Sequence, residues 1–434
     1  MNDTTMTTQT PRPTPPRPTS FRAEHPPSKP RSFTANLARR TLHRALTALR
    51  EGSITIIDSH ETQAFGSADS DLRATVTVHD SRFYARSLFS GSLGAAEAFM
   101  EGLWTCDDLT ALCRIFTRNA EVGDDLDRGI SRLFFSAARG LHWLRRNSRM
   151  GSQRNIAAHY DLGNEFFSLW LDDTLTYSSG IFTQPDSTLR EASIEKLDRI
   201  CRRLALQPTD HVLEIGSGWG SFAIHAASTY GCRVTTTTIS REQHDLATQR
   251  IAAAGLSDLV TVLLKDYRDL QGQYDKLVSI EMIEAVGHAF LETYFKQCAA
   301  LLKPDGAMML QAITMNDQRY GRYRRTVDFI QRYIFPGSCC PSLSAMTTAI
   351  SRASDFKLSH MEDFGIHYAK TLRTWRQRFF ASSDQVRAQG YDERFIRMWD
   401  YYLCYCEAGF TERYIGVAQM LLTKPAWRGQ GQLR

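Results

Sequence analysis

The chain has no apolar run approaching the roughly 20 residues that a helix needs to span a bilayer, and no hydrophobic stretch follows its N-terminus. Both absences argue against an integral or secreted protein, so the expected compartment is the cytoplasm. Paired cysteines are lacking as well. The nine present (Cys106, Cys113, Cys201, Cys232, Cys298, Cys339, Cys340, Cys404 and Cys406) are odd in number and scattered without metal-ligand spacing, which reads as reduced thiols rather than a zinc site or a disulfide framework. Strong charge bias is missing too: 52 basic against 47 acidic residues leave a formal charge of only +5. With no recognised nucleic-acid module, nothing points to nucleic acid, and what matters is where the arginines cluster.

What is present is enough for two domains. A chain of 434 residues exceeds the size at which one core stops growing, and 42% hydrophobic with 11% aromatic residues supplies ample core material. Residues 1–35 are Thr, Pro, Arg and Ser with almost nothing apolar, and are expected to be disordered. From Asn36, Leu37, Leu42, Leu46 and Leu49 recur at helical spacing, and Glu51-Gly52 ends that helix. Strands at 53–58 and 74–79 follow, then a helix bracketed by Gly91 and Gly102. The expectation is a small α+β domain over residues 36–120. Between 121 and 151, Leu133, Phe134, Leu141, Trp143 and Leu144 are interleaved with Arg132, Arg139, Arg145, Arg146 and Arg149. That basic amphipathic helix suits either an anionic membrane surface or a support packed between domains.

The second domain, 152–434, is organised around His211-Val212-Leu213-Glu214-Ile215-Gly216-Ser217-Gly218-Trp219-Gly220. An apolar run ending in an acid and then in alternate glycines describes a buried parallel strand turning sharply into a helix, with bare backbone for a nucleotide-like cofactor. The spacing is tighter than the dinucleotide fingerprint and is the pattern of S-adenosylmethionine methyltransferases. Strands at 211–216, 233–240, 260–266, 274–282 and 306–314 alternate with helices at 219–230, 241–254 and 288–302. Such alternation gives an α/β fold, a doubly wound parallel sheet of the seven-stranded methyltransferase type. Ligand contacts are expected at the carboxyl ends of its strands: Glu214, Gly216, Gly218 and Gly220 after the first, Thr238, Ser240 and Gln243 after the second, Asp266 and Tyr267 after the third. The second strand lacks the usual terminal acid, so Gln243 or Ser240 would serve the ribose hydroxyls, while Asp266 suits an adenine amino group. Ser240 has the competing reading of a helix cap.

Beyond Thr314 the alternation stops. Tyr320, Tyr323, Phe329, Tyr333 and Phe335 lead into two helical stretches that hold Tyr368, Trp375, Phe379, Phe380, Tyr391, Phe395, Trp399, Tyr401, Tyr402 and Phe410. Aromatic stripes are ordinarily core, but a whole aromatic cap also suits a long apolar substrate or a developing carbocation.

The stretches His159-Tyr160-Asp161-x-Gly163-Asn164, Tyr177-Ser178, Val212 to Gly220, Glu281-Met282-Ile283-Glu284-x-Val286-Gly287, Tyr333-Ile334-Phe335-Pro336-Gly337 and Cys406-Glu407-Ala408-Gly409-Phe410 together resemble the cyclopropane-fatty-acyl-phospholipid synthases and their mycolic acid relatives. The resemblance covers the second domain and extends more weakly, through Gly91 to Gly102, to the lipid-side N-terminal domain of the phospholipid-acting members. It implies transfer of a methylene group from S-adenosylmethionine to a cis double bond of a phospholipid acyl chain, with Tyr177 and Ser178 added to the cofactor contacts. A bound bicarbonate is the implied proton acceptor, held by groups that match Glu284, Tyr368 and the backbone at Ile313. Two positions depart: the family's Cys is Ser179 and its His is Gln311. Serine and glutamine still donate hydrogen bonds to an oxyanion, but the ending of the reaction is opened to a methyl branch as well as a ring. A small-molecule N-methyltransferase and a silent lipid-binding protein are the remaining alternatives, and the N-terminal domain with its basic helix argues against the former. The implied partners are unsaturated phospholipid acyl chains at the inner membrane surface, with a homodimer left open.

Overall fold

The computed structural model describes residues 33–122 and 162–429. The N-terminal tail, the basic helix expected near 131–149 and His159-Tyr160-Asp161 lie outside the described residues.

The first domain opens with helix α1 (Phe33–Leu46), then β1 (Ser53–Ile57), β2 (Thr62–Gly66), β3 (Arg73–Val78), α2 (Arg82–Met100), β4 (Trp104–Cys106) and α3 (Leu109–Arg118). Its four strands run in the order β2-β1-β3-β4, parallel only between β1 and β3. The α+β expectation holds with three corrections. In α1 the buried stripe is Ala38, Leu42 and Leu46, spaced by four, which turns Leu37 outward at 58% exposure. The helix stops at Leu46 rather than at Gly52, whose positive φ of 90° serves the entry to β1. Gly91 does not open a helix but kinks one, with φ 57° and ψ −142° inside α2. Three residues later, a Cβ on Gly94 would lie 2.2 Å from the carbonyl oxygen of Arg86, so the kink closes only over a residue without a side chain.

In the second domain come α4 (Asn164–Ser168), α5 (Leu189–Leu204), β5 (His211–Ile215), α6 (Ser221–Tyr230), β6 (Arg233–Thr238), α7 (Arg241–Ala253), β7 (Val260–Leu264), β8 (Tyr274–Ile280), α8 (Leu291–Leu301) and β9 (Leu302–Met315). They are followed by α9 (Asp317–Tyr323), α10 (Leu343–Ala353), β10 (Lys357–Asp363), α11 (Gly365–Ala381), α12 (Ser383–Ala388), α13 (Glu393–Thr411) and β11 (Ile415–Thr423). The sheet order is β10-β11-β9-β8-β5-β6-β7. The five strands from β9 to β7 are parallel, and β11 and β10 extend the sheet antiparallel. Both faces are covered. Along β9, Met308 and Leu310 pack toward α8 and α10, while Ala307 and Met309 pack toward α5 and α6. That period of two with apolar residues on either side is what a doubly covered sheet demands.

The aromatic cap is a continuous wall. Phe166 of α4 meets Trp399 of α13 at 4.9 Å between ring centroids, and Trp170 meets Trp375 of α11 at 5.6 Å. The cap's buried cluster runs on without a break into the core of the first domain. Polar ties cross the same junction: Arg114 and Arg118 of α3 each donate through Nε to one oxygen of Glu412, at 2.6 and 2.8 Å. Among the described residues no helix is long and apolar enough to cross a membrane.

Gly94→Ala should therefore cost about 1–3 kcal/mol, the range for overpacking against a fixed neighbour. Gly321→Ala in α9, where a Cβ meets nothing within 4 Å, should be neutral or stabilise by up to about 1 kcal/mol. Chemical denaturation of the two variants against the parent measures both; equal midpoints would contradict the packing at the kink.

Candidate active site

The chain leaves β5 to build β6 and β7 on one side, then crosses back to lay β8 on the other. This reversal opens a crevice at the carboxyl ends of β5 and β8. A cavity of about 580 Å³ begins there. The three glycines after β5 have different tasks. A Cβ on Gly216 would press on Met282 at 3.1 Å, and one on Gly220 would meet the Ala247 Cβ at 3.4 Å, so these two permit close packing. Gly218, with φ 48°, would point a Cβ into space with no protein atom within 4 Å. The bare backbone there faces the cavity, as a cradle for S-adenosylmethionine requires.

Tyr177, Ser178, Glu214, Thr238, Gln243, Asp266 and Tyr267 line the same cavity. Glu214 ends β5 and accepts from Thr236 Oγ1 at 2.6 Å; burial pushes its carboxyl up to about 8. Ser240 is not part of the lining. Its hydroxyl accepts from the Gln243 backbone N–H at 3.3 Å and caps α7, so of the two sequence readings the cap is the one formed. Gln243 is positioned by Thr238, whose hydroxyl donates to its Oε1 at 2.8 Å, leaving its amide N–H groups for a ligand hydroxyl. Asp266 is clasped by the Arg268 guanidinium at 2.8 and 2.6 Å, which fixes the carboxylate at the rim.

Two groups stand at the centre. Lys196, on the buried stripe of α5 with Ala192, Leu197 and Ile200, is 1% exposed and donates to Ser178 Oγ at 2.8 Å. Burial draws its ammonium down to about 8, against the pull of Glu281, Asp172 and Glu214. Glu281 follows β8 with a positive φ of 48°, a backbone state that non-glycine residues adopt at a cost and that is concentrated at functional sites. Its Oε1 accepts from the Ser179 backbone N–H at 3.0 Å and from Gln311 Nε2 at 2.7 Å, and its Oε2 accepts from the Tyr368 hydroxyl at 2.7 Å. Gln311 is itself oriented by Gln419, which donates to its Oε1 at 3.0 Å.

Glu284 lies three residues on, and its Oε1 accepts from the Ile313 backbone N–H. Its Oε2 is buried and has no partner among the described residues. Burial and the neighbouring Glu281 charge push Glu284 up to about 8. Burial raises Glu281 also, but three donors and the Lys196 charge oppose it. Two carboxylates this close do not both ionise. The three donors favour the charged form of Glu281 over that of Glu284, so of the two Glu284 is the one that holds its proton the more tightly.

The donors expected to hold a bicarbonate are engaged within the chain. Tyr368, Gln311 and the Ser179 N–H are spent on Glu281, the Ile313 N–H is spent on Glu284, and the Ser179 hydroxyl donates to the Gly180 carbonyl at 3.0 Å. A side-chain carboxylate meets the donors such an anion would need. The signal was in the sequence as the pair of acids Glu281 and Glu284. The lysine announced itself only as a charge on an apolar helical stripe.

Gly218→Val should abolish cofactor binding by calorimetry while circular dichroism stays unchanged; retained affinity would move the cofactor elsewhere. Glu284→Gln should alter the pH dependence of stability. The folded state holds the Glu284 proton more tightly than the unfolded chain, so stability is greatest below the usual value near 4.5 and is lost as pH rises toward 8. The variant should thus gain more melting temperature at pH 8 than at pH 5, and an equal change at both would contradict the buried acid.

Known proteins were compared with this chain. A family model described as mycolic acid cyclopropane synthetase matches residues 147–420. A tuberculostearic acid methyltransferase of Mycobacterium tuberculosis is 39% identical over 410 residues, covering 90% of this chain and 92% of that protein. The cyclopropane-fatty-acyl-phospholipid synthase of Escherichia coli is 36% identical over 375 residues, covering 84% and 90%. The crystal structure of a mycolic acid cyclopropane synthase complexed with SAH and CTAB aligns with 33% identity and a TM-score of 0.59, over 63% of this chain and 98% of that one. A coclaurine N-methyltransferase aligns at 20% identity, a likeness of fold alone. The glycine cradle, the sheet and these matches agree: the chain belongs to the mycolic acid cyclopropane synthetase family and is an S-adenosylmethionine-dependent methyltransferase.

Proposed function

We propose that this enzyme methylates the cis double bond of an unsaturated phospholipid acyl chain and that Glu281 is the proton acceptor, giving a methylene-branched lipid. The observation that carries the reading is the Glu281 carboxylate, accepting from Tyr368, Gln311 and the Ser179 N–H at the wall of an aromatic cavity. When bound, S-adenosylmethionine supplies an electrophilic methyl on a sulfonium. An alkene is a weak nucleophile, so the cavity must hold the two partners dry and aligned, and proximity of this kind is worth up to roughly 7–11 kcal/mol. Transfer of the methyl to one alkene carbon leaves a cation on the chain. Tyr368, stacked on Phe410 at 4.4 Å, and Tyr402 line that space with their π faces. A hydride shift from the methylated carbon moves the cation onto that carbon; Glu281 then removes one proton from the added methyl, and the electrons of that C–H bond form the double bond of a methylene branch, whereas without the shift the same proton loss closes a ring. An acceptor raised by burial toward neutrality is suited to the step. Protonated Glu284 keeps a second negative charge from competing with it.

The branched ending is supported by the 39% identical tuberculostearic acid methyltransferase and by the replacement of the anion-binding set. Ring closure by the same proton loss is the second reading, favoured by the 36% identical synthase that acts on phospholipid. Attachment to the inner face of a membrane through the basic segment at 131–149 belongs to the same proposal. Loss of vesicle binding in Arg145→Glu with Arg146→Glu would support that attachment, and undiminished binding would oppose it.

Glu281→Gln should lower turnover by a factor of about 10² to 10⁴, the range for losing a positioned acid-base group, with cofactor affinity unchanged. Product made from trideuteromethyl cofactor and unsaturated phospholipid vesicles should retain two deuterium atoms. Proton NMR then separates a methyl or methylene branch from a ring. Three retained deuterium atoms would show that the proton does not come from the added methyl, and full turnover by the variant would show that Glu281 is not the acceptor.

A further inference from the structure

Lys196 is buried on the cavity wall, yet it forms no ion pair with any described carboxylate. Its one hydrogen bond among the described residues goes to Ser178 Oγ at 2.8 Å, which leaves two of the three N–H groups of its ammonium without a described acceptor. A buried ammonium in that state is costly unless something completes its shell. Ser178 is incomplete as well. Its oxygen accepts from Lys196, so its hydroxyl proton is left for another acceptor, and no described residue supplies one.

The loop that carries Ser178 is clamped residue by residue. After the Lys196 bond to Ser178, the Ser179 N–H donates to Glu281 at 3.0 Å, the Gly180 N–H to Thr371 Oγ1 at 3.1 Å and the Ile181 N–H to the Ala192 carbonyl at 2.9 Å. Upstream, Ser193 donates to Asp172 Oδ2 at 2.7 Å. One stretch of α5, Ala192, Ser193 and Lys196, thus fixes both ends of the loop that brings Ser178 to the cavity and the Ser179 N–H to Glu281. Acids dominate the surroundings of the lysine: Glu281 after β8, Glu214 at the end of β5 and Asp172 before the loop, with His225 of α6 nearby. Lys196 is the cation whose charge reaches both Glu214 and Glu281. A cofactor that brings a further carboxylate to this end of the cavity needs that cation beside it.

Resting on the reading of Glu281 as proton acceptor, we propose that Lys196 is a positioning residue shared by two anions: the α-carboxylate of S-adenosylmethionine, met through the Ser178 hydroxyl, and the Glu281 carboxylate, whose charge it offsets. The donors run from the ammonium to the serine oxygen and from the serine hydroxyl to the cofactor's carboxylate. Hydrogen bonds with a charged member are the stronger kind. The same lysine thereby ties recognition of the cofactor's amino-acid end to the ionisation of the base at its methyl end. Burial draws the Lys196 ammonium down to about 8, so both services weaken as pH rises past that value.

The test needs no turnover. Calorimetry on the full-length protein should show S-adenosylhomocysteine binding about 10- to 100-fold more tightly than its analogue lacking the α-carboxylate, the range for hydrogen bonds to a charged group. That preference should fade in the parent as pH rises past about 8, and it should collapse in Lys196→Met with the analogue's own affinity little changed. Infrared difference spectra between proteins with Glu281 and with Glu281→Gln follow the protonation of this one carboxyl. Removing the cation should move its titration to higher pH in Lys196→Met. A lysine that merely packs would weaken both ligands alike and leave the titration in place, and either result in a folded variant overturns the proposal. Should Lys196→Met not fold, a preference in the parent that holds steady past about 8 overturns it instead. Full turnover by Glu281→Gln would refute the acceptor reading alone, because the ligand preference is read without lipid.

Discussion

The carboxylate of Glu281 draws four distant parts of the chain to one point. The Ser179 N–H comes from the loop before α5, Gln311 from β9, Tyr368 from α11, and Glu281 itself from the end of β8. A buried anion without such partners would cost several kcal/mol, so the donors and the nearby Lys196 are conditions of its being there at all. The same constraint explains the neighbours. Glu284, raised by burial and by Glu281 beside it, holds its proton more tightly than a free acid, and Gln311 is oriented by Gln419 so that its N–H end meets the carboxylate. It also explains the tolerated backbone state of Glu281, which three surrounding segments over-determine.

The rest of the fold brings these groups together. The glycine cradle after β5 and the acid after β8 are adjacent because the sheet reverses its winding between those two strands. The antiparallel strand β11 sets Gln419 opposite Gln311 in register and so aims a residue of the candidate site. The cap closes the site with rings rather than polar groups, and its buried cluster continues into the first domain. Methyl transfer to an alkene needs that dryness, since water would compete for both the cation and the base.

Much of this was legible in the residues. Apolar runs punctuated by glycine located β5 to β9 within two residues at most ends, because buried parallel strands and crossover helices have distinct periods. The cofactor loop was legible because only glycine meets its backbone and space requirements. Strand β10 was not: Lys357–Asp363 alternates at half exposure with few apolar residues, a weak signal for an edge strand. Leu37 was misplaced because one leucine off the stripe looks like the stripe until the helix phase is known. The role of Glu281 was hidden for a different reason. Ser179, Gln311 and Tyr368 read as ligands for an outside anion, and only tertiary structure shows a carboxylate of the chain already among them. Lys196 was concealed by the same long-range pairing, since a lysine on a helix is ordinarily solvated.

The central claim is that this enzyme carries its proton acceptor in its own chain. The most direct measurement is turnover of unsaturated phospholipid vesicles in buffer stripped of carbon dioxide, compared with the same buffer after bicarbonate is restored. The account requires the two rates to be equal, with activity abolished in both by Glu281→Gln. A rate that collapses on removal of bicarbonate and returns on its addition would contradict it.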